Sequence, residues 1–168
     1  MNKIVFITGA TSGFGEACAY KFAAAKYDLI LNGRREERLK NLKQKLEGEY
    51  GVSCYLLPFD VRDNEAVKQS INSLPAEWKQ IDILINSAGL AVGRGLFQEG
   101  VIDDYERMID TNIKGLLYVS KAVVPFMQER KKGHIINLGS IAAKDIYERG
   151  NVYCGTKAAV DAISHGMR

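Results

Sequence analysis

With 168 residues, 46% hydrophobic and 26% charged, the chain has the size and balance of one globular domain, and nothing in it suggests disorder. Its 23 basic and 20 acidic residues leave a formal charge of +3 spread along the chain, which argues against a nucleic-acid binder built on a basic face. Cys18, Cys54 and Cys154 lie far apart without C-x-x-C or Cys/His spacing, so reduced thiols are expected rather than a zinc site or a disulfide framework.

The first run, KIVFITG at residues 3–9, is apolar for only a few residues. That is too short for a signal-peptide core or a membrane span, so a cytoplasmic protein with no membrane association is expected. Four similar runs follow: DLILNGR at 28–34, VSCYLLPFD at 52–60, DILINSAG at 82–89 and HIINLGS at 134–140. They lack strict alternation, which predicts strands covered on both faces, as in a parallel sheet.

Between these runs the periodicity predicts helices over Gly15 to Lys26, Glu36 to Glu49, Asn64 to Leu74 and Asp103 to Gln128, with a last one starting near Asn151. Asp63 and Asp103 are candidate N-caps. Strands alternating with helices imply an α/β, doubly wound parallel sheet with right-handed crossovers. A strand order of 3-2-1-4-5 places the third strand at an edge, where Pro58 inside its run is tolerated.

Thr8-Gly9-Ala10-Thr11-Ser12-Gly13-Phe14-Gly15 follows the first strand and opens a helix. Glycines there let the backbone turn sharply and come close to a pyrophosphate, while the helix N-terminus offers free N–H groups. After the second strand stand Asn32-Gly33-Arg34-Arg35, with no carboxylate for a ribose 2′-hydroxyl and two guanidiniums suited to a 2′-phosphate, so NADP(H) is the expected cofactor.

Near the far end, Tyr153 and Lys157 are four apart in a helical stretch and therefore share a face. A free tyrosine titrates near 10, too high for a base at neutral pH, and a nearby ammonium favours the phenolate. Tyr153 is then a candidate general acid in reduction and general base in oxidation. Ser140, just past the fifth strand, can donate to a substrate carbonyl. His134 and His165 lack metal-spaced partners and read as structural or solvent-facing.

Taken together, TGATSGFG at 8–15, Asp60-Val61, NSAG at 86–89, Asn112, Ser140 and YCGTK at 153–157 resemble the short-chain dehydrogenase/reductase family over essentially the whole chain. The resemblance implies a Rossmann domain over residues 1–168 and a catalytic group of Asn112, Ser140, Tyr153 and Lys157. Tyr153 would exchange the proton, Ser140 position the substrate oxygen, Lys157 lower the tyrosine pKa and hold the nicotinamide ribose, and Asn112 anchor a relay water. The cofactor would meet Gly9, Thr11, Ser12, Gly13, Phe14, Gly15, Arg34, Arg35, Asp60, Val61, Asn86, Ala88 and Gly89, together with Tyr153 and Lys157.

SLPAEWKQIDILINSAGLAVG, MIDTNIKGLLYVSKAVVPFM and HIINLGSIAAKDIYERGNVYCGTKAAV narrow the similarity to the NADP-dependent branch that oxidises serine and other 3-hydroxy acids. The chain departs from that pattern at Ser87, Ala143 and Glu148-Arg149. By the same resemblance, later strands, a substrate-covering loop and part of a homotetramer interface would lie beyond Arg168, making this the N-terminal part of a longer single-domain enzyme. A reductase of ketoacyl or bulky ketones and a non-catalytic dinucleotide-binding protein are the alternatives. Arg94 and Arg149 are candidate partners for a substrate carboxylate.

Overall fold

The computed structural model describes residues 2–93 and 95–167, so Arg94, a candidate carboxylate partner, lies outside the described residues. Five strands, β1 (Ile4–Ile7), β2 (Asp28–Asn32), β3 (Cys54–Leu57), β4 (Ile81–Asn86) and β5 (His134–Asn137), form one parallel sheet in the expected order β3-β2-β1-β4-β5. Six helices connect and cover it: α1 (Gly13–Ala24), α2 (Glu36–Tyr50), α3 (Asn64–Asn72), α4 (Ile102–Ile109), α5 (Leu116–Glu129) and α6 (Asn151–Gly166).

β1, β2 and β4 are largely buried on both faces, as expected, whereas the edge strands are less covered: Tyr55 and Leu56 of β3 are partly buried, and in β5 His134 is exposed and Ile135 to Asn137 are only partly buried. Along β1, Ile4 and Phe6 join Val67 and Ile71 of α3 and Val119 and Val123 of α5. The alternate residues Val5 and Ile7 join Ala19 and Ala23 of α1 and Leu39, Leu42 and Leu46 of α2. The period-two alternation of a strand thus divides β1 between two cores.

Asp63 accepts from the Ala66 N–H at 3.0 Å and caps α3 as expected. Asp103 is no cap: α4 begins one residue earlier, Val101 occupies the N-cap position, and Asp103 sits in the first turn. Pro58 falls just outside the short edge strand β3 and is exposed, so its missing N–H costs the ladder nothing.

The long helix expected from Asp103 to Gln128 is interrupted. A π-helical turn at Asp110–Gly115 separates α4 from α5 and buries Thr111, Asn112 and Gly115. A Cβ on Gly115 would meet Val61 Cγ2 at 2.7 Å, so only glycine lets this turn lie against the segment after β3. π-turns often mark functional sites.

At the start of β4 the ladder to β1 is irregular: Ile4 pairs with Ile81 but Val5 with Ile83, which leaves Asp82 as an extra residue. Its carboxylate accepts from the Ile4 N–H at 3.0 Å and pairs with Lys132 at 2.8 Å and Arg130 at 3.6 Å. Burial works against the charged carboxylate, but Lys132, the Ile4 N–H and Arg130 outweigh it and hold Asp82 below the usual carboxylate range.

A depressed folded-state pKa stabilises the fold above the unfolded carboxylate value and loses that contribution as pH falls through the folded one. Asp82→Asn should therefore cost about 1–2 kcal/mol at neutral pH. In urea melts across pH, its gap from the parent protein should close below about pH 4; a gap that stays constant into acid would show that the charge contributes nothing.

Candidate active site

At the carboxyl end of β1 the chain turns into α1 through the glycine-rich loop. Gly9 has φ +66° and Gly13 φ +58°, the left-handed region that favours glycine. A Cβ on Gly9 would come within 2.9 Å of Ala88 Cα, and one on Gly15 would run into the Gly9 carbonyl. Ser12 precedes α1 in an extended conformation without capping it through its side chain. The helix N-terminus therefore keeps N–H groups for an anion.

Thr8, which opens the glycine loop and had no role assigned to it from the sequence, holds the floor of the site together. Its buried hydroxyl accepts from the N–H groups of Ser87 and Ala88, both at 3.0 Å, and so fixes the segment leaving β4 against the loop leaving β1. A polar residue where an apolar run meets the first glycine was the available signal.

The basic end lies beside it. Asn32, which closes β2 at the edge of the cleft, is buried and donates to the carbonyls of Leu57 and Phe59, so its amide is tied to neighbouring backbone. Arg35 Nη2 donates to Thr11 Oγ1 at 2.9 Å and Ser12 Oγ at 3.1 Å, over the glycine loop. Arg34 is exposed, and its guanidinium stands 3.6 Å from Asp60. Burial alone would raise the Asp60 pKa, but its paired hydrogen bonds with Arg62 and the charge of Arg34 hold it below the usual range.

Gly9, Thr11, Ser12, Gly13, Phe14, Arg34, Arg35, Asp60, Val61, Ala88 and Gly89 line one cleft of about 350 Å³. Of the residues expected at the cofactor, Gly15, Asn86, Tyr153 and Lys157 do not line it, and of these Tyr153 and Lys157 line an adjoining cleft. Gly15 acts from below, through the close packing just described. Asn86 is buried and donates to Ser120 Oγ and Asn137 Oδ1, each at 2.9 Å, which places its side chain between β4, β5 and α5.

Phe14, Ser87, Gly89 and Leu90 also wall a second cleft of about 450 Å³, which contains Tyr153 and Lys157. The two clefts thus make one groove across the carboxyl ends of the strands. Ser140 accepts from the Ala142 N–H at 3.2 Å as the N-cap of a 3₁₀ turn at Ile141–Ala143. Its hydroxyl donates to no group among the described residues. Tyr153 is half-buried, and its hydroxyl likewise has no partner among them.

Lys157 is 9% exposed and donates to the Leu138 carbonyl at 2.7 Å. Burial pulls its ammonium below the ordinary lysine range. Asn112 reaches the same region from the π-turn: Oδ1 accepts from the Leu90 N–H, and Nδ2 donates to the Leu90 carbonyl, all at 2.9 Å. Arg149 sits exposed at φ +66° on the turn before α6 and lines neither cleft. Both histidines are exposed.

Residues 3–168 match the short chain dehydrogenase family. The chain is 48% identical over 165 residues to the NADP-dependent 3-hydroxy acid dehydrogenase YdfG of Escherichia coli K12, covering 98% of this chain and 65% of that protein. It is 44% identical to serine 3-dehydrogenase of Rhizobium radiobacter, covering 100% of this chain and 66% of that one. A closed form of serine dehydrogenase complexed with NADP+ superposes with a TM-score of 0.91 at 48% identity, covering 98% of this chain and 65% of the other. The chain thus spans about 65% of the length of these relatives, and by its sequence and its sheet order it belongs to the short-chain dehydrogenase family.

Proposed function

We propose that the protein is an NADP-dependent oxidoreductase that interconverts a secondary alcohol and a carbonyl, with a 3-hydroxy acid such as serine, 3-hydroxybutyrate or 3-hydroxypropionate as substrate. The observation that carries this reading is the single groove running from Arg34 and Arg35, over the glycine loop, to Tyr153 and Lys157. The names of the relatives support the substrate class. We further propose that the protein acts as a cytoplasmic homotetramer. Exposed Ile102, Ile109 and Leu117 along α4 and α5 favour association, and no described helix is long and apolar enough to cross a membrane.

The residues present fit a dinucleotide. The glycine loop leaves no room for a Cβ at Gly9 or Gly15, and the N-terminus of α1 opens onto the cleft. Arg34 and Arg35 supply planar donors for a 2′-phosphate, while Lys157 has N–H groups beyond the one given to Leu138 for ribose hydroxyls. When bound, NADP(H) supplies or accepts the hydride.

The protein handles the proton. Tyr153 gives it to the substrate oxygen in reduction and takes it in oxidation, and Ser140 donates a hydrogen bond that orients that oxygen. Both N–H groups of the Asn112 amide are committed, to Leu90 and Thr156, so a water at Asn112 is held by its oxygen atoms rather than by its amide nitrogen.

NADPH consumption with 3-oxo acids, and NADP+ reduction with serine or 3-hydroxybutyrate, should be visible by absorbance. Tyr153→Phe should lower kcat at least about 100-fold while NADPH affinity stays within about threefold. If both proteins bind NADPH and neither consumes it across a broad carbonyl panel, a non-catalytic binding protein is the better description. Activity confined to long acyl or steroid carbonyls would remove the hydroxy-acid assignment.

Replacing Arg34 and Arg35 together by alanine should weaken NADPH by about 100-fold or more and leave NADH much less affected, since charge-assisted hydrogen bonds each contribute about 1.5–3 kcal/mol and at least two are lost. Equal losses for both cofactors, read by fluorescence titration, would place the 2′-phosphate elsewhere.

A further inference from the structure

We propose that Thr156 is a positioning residue that locks the cleft wall at Leu90 to the helix carrying Tyr153 and Lys157, an inference that rests on the redox reading above. Thr156 is 2% exposed and lies on α6 between those two residues. Its hydroxyl accepts from Asn112 Nδ2 at 3.0 Å and donates to the Tyr153 carbonyl at 2.7 Å.

A hydroxyl has one hydrogen, so the direction of the chain is fixed: amide N–H of Asn112 to Thr156, and Thr156 O–H to Tyr153. The other groups of the Asn112 amide hold Leu90 through both its N–H and its carbonyl. Leu90 walls both parts of the groove. One continuous set of hydrogen bonds thus spans the loop after β4, the π-turn and the first turns of α6.

There is little slack around this chain. A Cβ on Gly89 would stand 3.3 Å from Asn112 Oδ1 and 3.9 Å from Lys157 Nζ, so the backbone beside Leu90 comes close to both Asn112 and the catalytic helix only because residue 89 is glycine. The bond from Thr156 to the carbonyl three residues earlier also biases the local bend of α6, and with it the direction of Tyr153. Without the hydroxyl, one buried N–H of Asn112 has no partner, and the amide must turn or the wall must move.

The test compares Thr156→Val, which keeps the shape and removes both bonds, with Thr156→Ser, which keeps them. Thr156→Val should lower kcat about 10- to 50-fold, with the KM for NADPH within about threefold and a larger primary isotope effect from deuterated NADPH, because small misplacements at a reacting centre act on the chemical step. The Leu90 amide should exchange with deuterium about tenfold faster. Thr156→Ser should return both readings to near the parent values.

If Thr156→Val loses only melting temperature, with kcat and Leu90 exchange unchanged, or if Thr156→Ser fails equally, the positioning role is overturned. A parent protein with no turnover on any carbonyl would overturn the redox reading by itself. Leu90 exchange would then still decide the role of Thr156.

Discussion

The close approach of the Gly9–Gly15 turn to the chain leaving β4 is the constraint on which the rest of the site depends. In the order β3-β2-β1-β4-β5, connections run from β1 towards β3 on one side and from β4 towards β5 on the other, so a crevice opens where the direction reverses. The crevice is narrow because Gly9 lies against Ala88 and Gly15 beneath Gly9, and Thr8 holds the two exits together through two N–H groups. Larger residues at those glycines would push α1 away from the sheet and remove its N-terminus from the cleft.

Asparagine maintains this geometry away from β1. Asn32 joins β2 to the end of β3, Asn86 joins β4 to β5 and α5, and Asn137 passes a bond on to Ser164 of α6. Asn112 does the same between the π-turn and Leu90. An amide carries donor and acceptor on one short stem, so it can stand in for a missing strand at points where the ladder ends. The cost is visible at Asn86, whose buried Oδ1 finds no partner among the described residues.

The strands, the main helices and the glycine loop were legible in the sequence because each is local: apolar runs, helical periodicity and a turn needing glycine occupy contiguous residues, while the sheet order followed from the doubly wound class that their alternation implies. The π-turn was not, since one inserted residue hardly disturbs a 3.6-residue pattern, and Asp110–Gly115 is specified by packing on Val61, far away in sequence. Asp82 was hidden for the same reason, because a bulge exists only relative to its partner strand. Among site residues, the four with proposed catalytic roles were legible by motif, whereas Thr8 and Thr156 act through bonds to distant backbone or side chains. Asn86 was placed at the cofactor on its neighbourhood in NSAG, although its strand face turns the side chain inward.

The acidic residue at the basic end raises an apparent conflict, since Asp60 would repel a 2′-phosphate held by Arg34 and Arg35. Arg62 resolves it by gripping both Asp60 oxygens, so much of the carboxylate charge is balanced before any ligand arrives. The contact of Arg34 with Asp60 is longer, at 3.6 Å, and Arg34 is 63% exposed. A pair of that kind contributes about 0–1 kcal/mol, less than a charge-assisted hydrogen bond to phosphate. Arg34 can therefore turn to a phosphate at small cost, while Arg35 already lies across the loop through Thr11 and Ser12. The proposed preference for a phosphorylated ribose rests on this division of labour: Arg62 neutralises Asp60, Arg34 touches it only loosely, and Arg35 lies over the glycine loop.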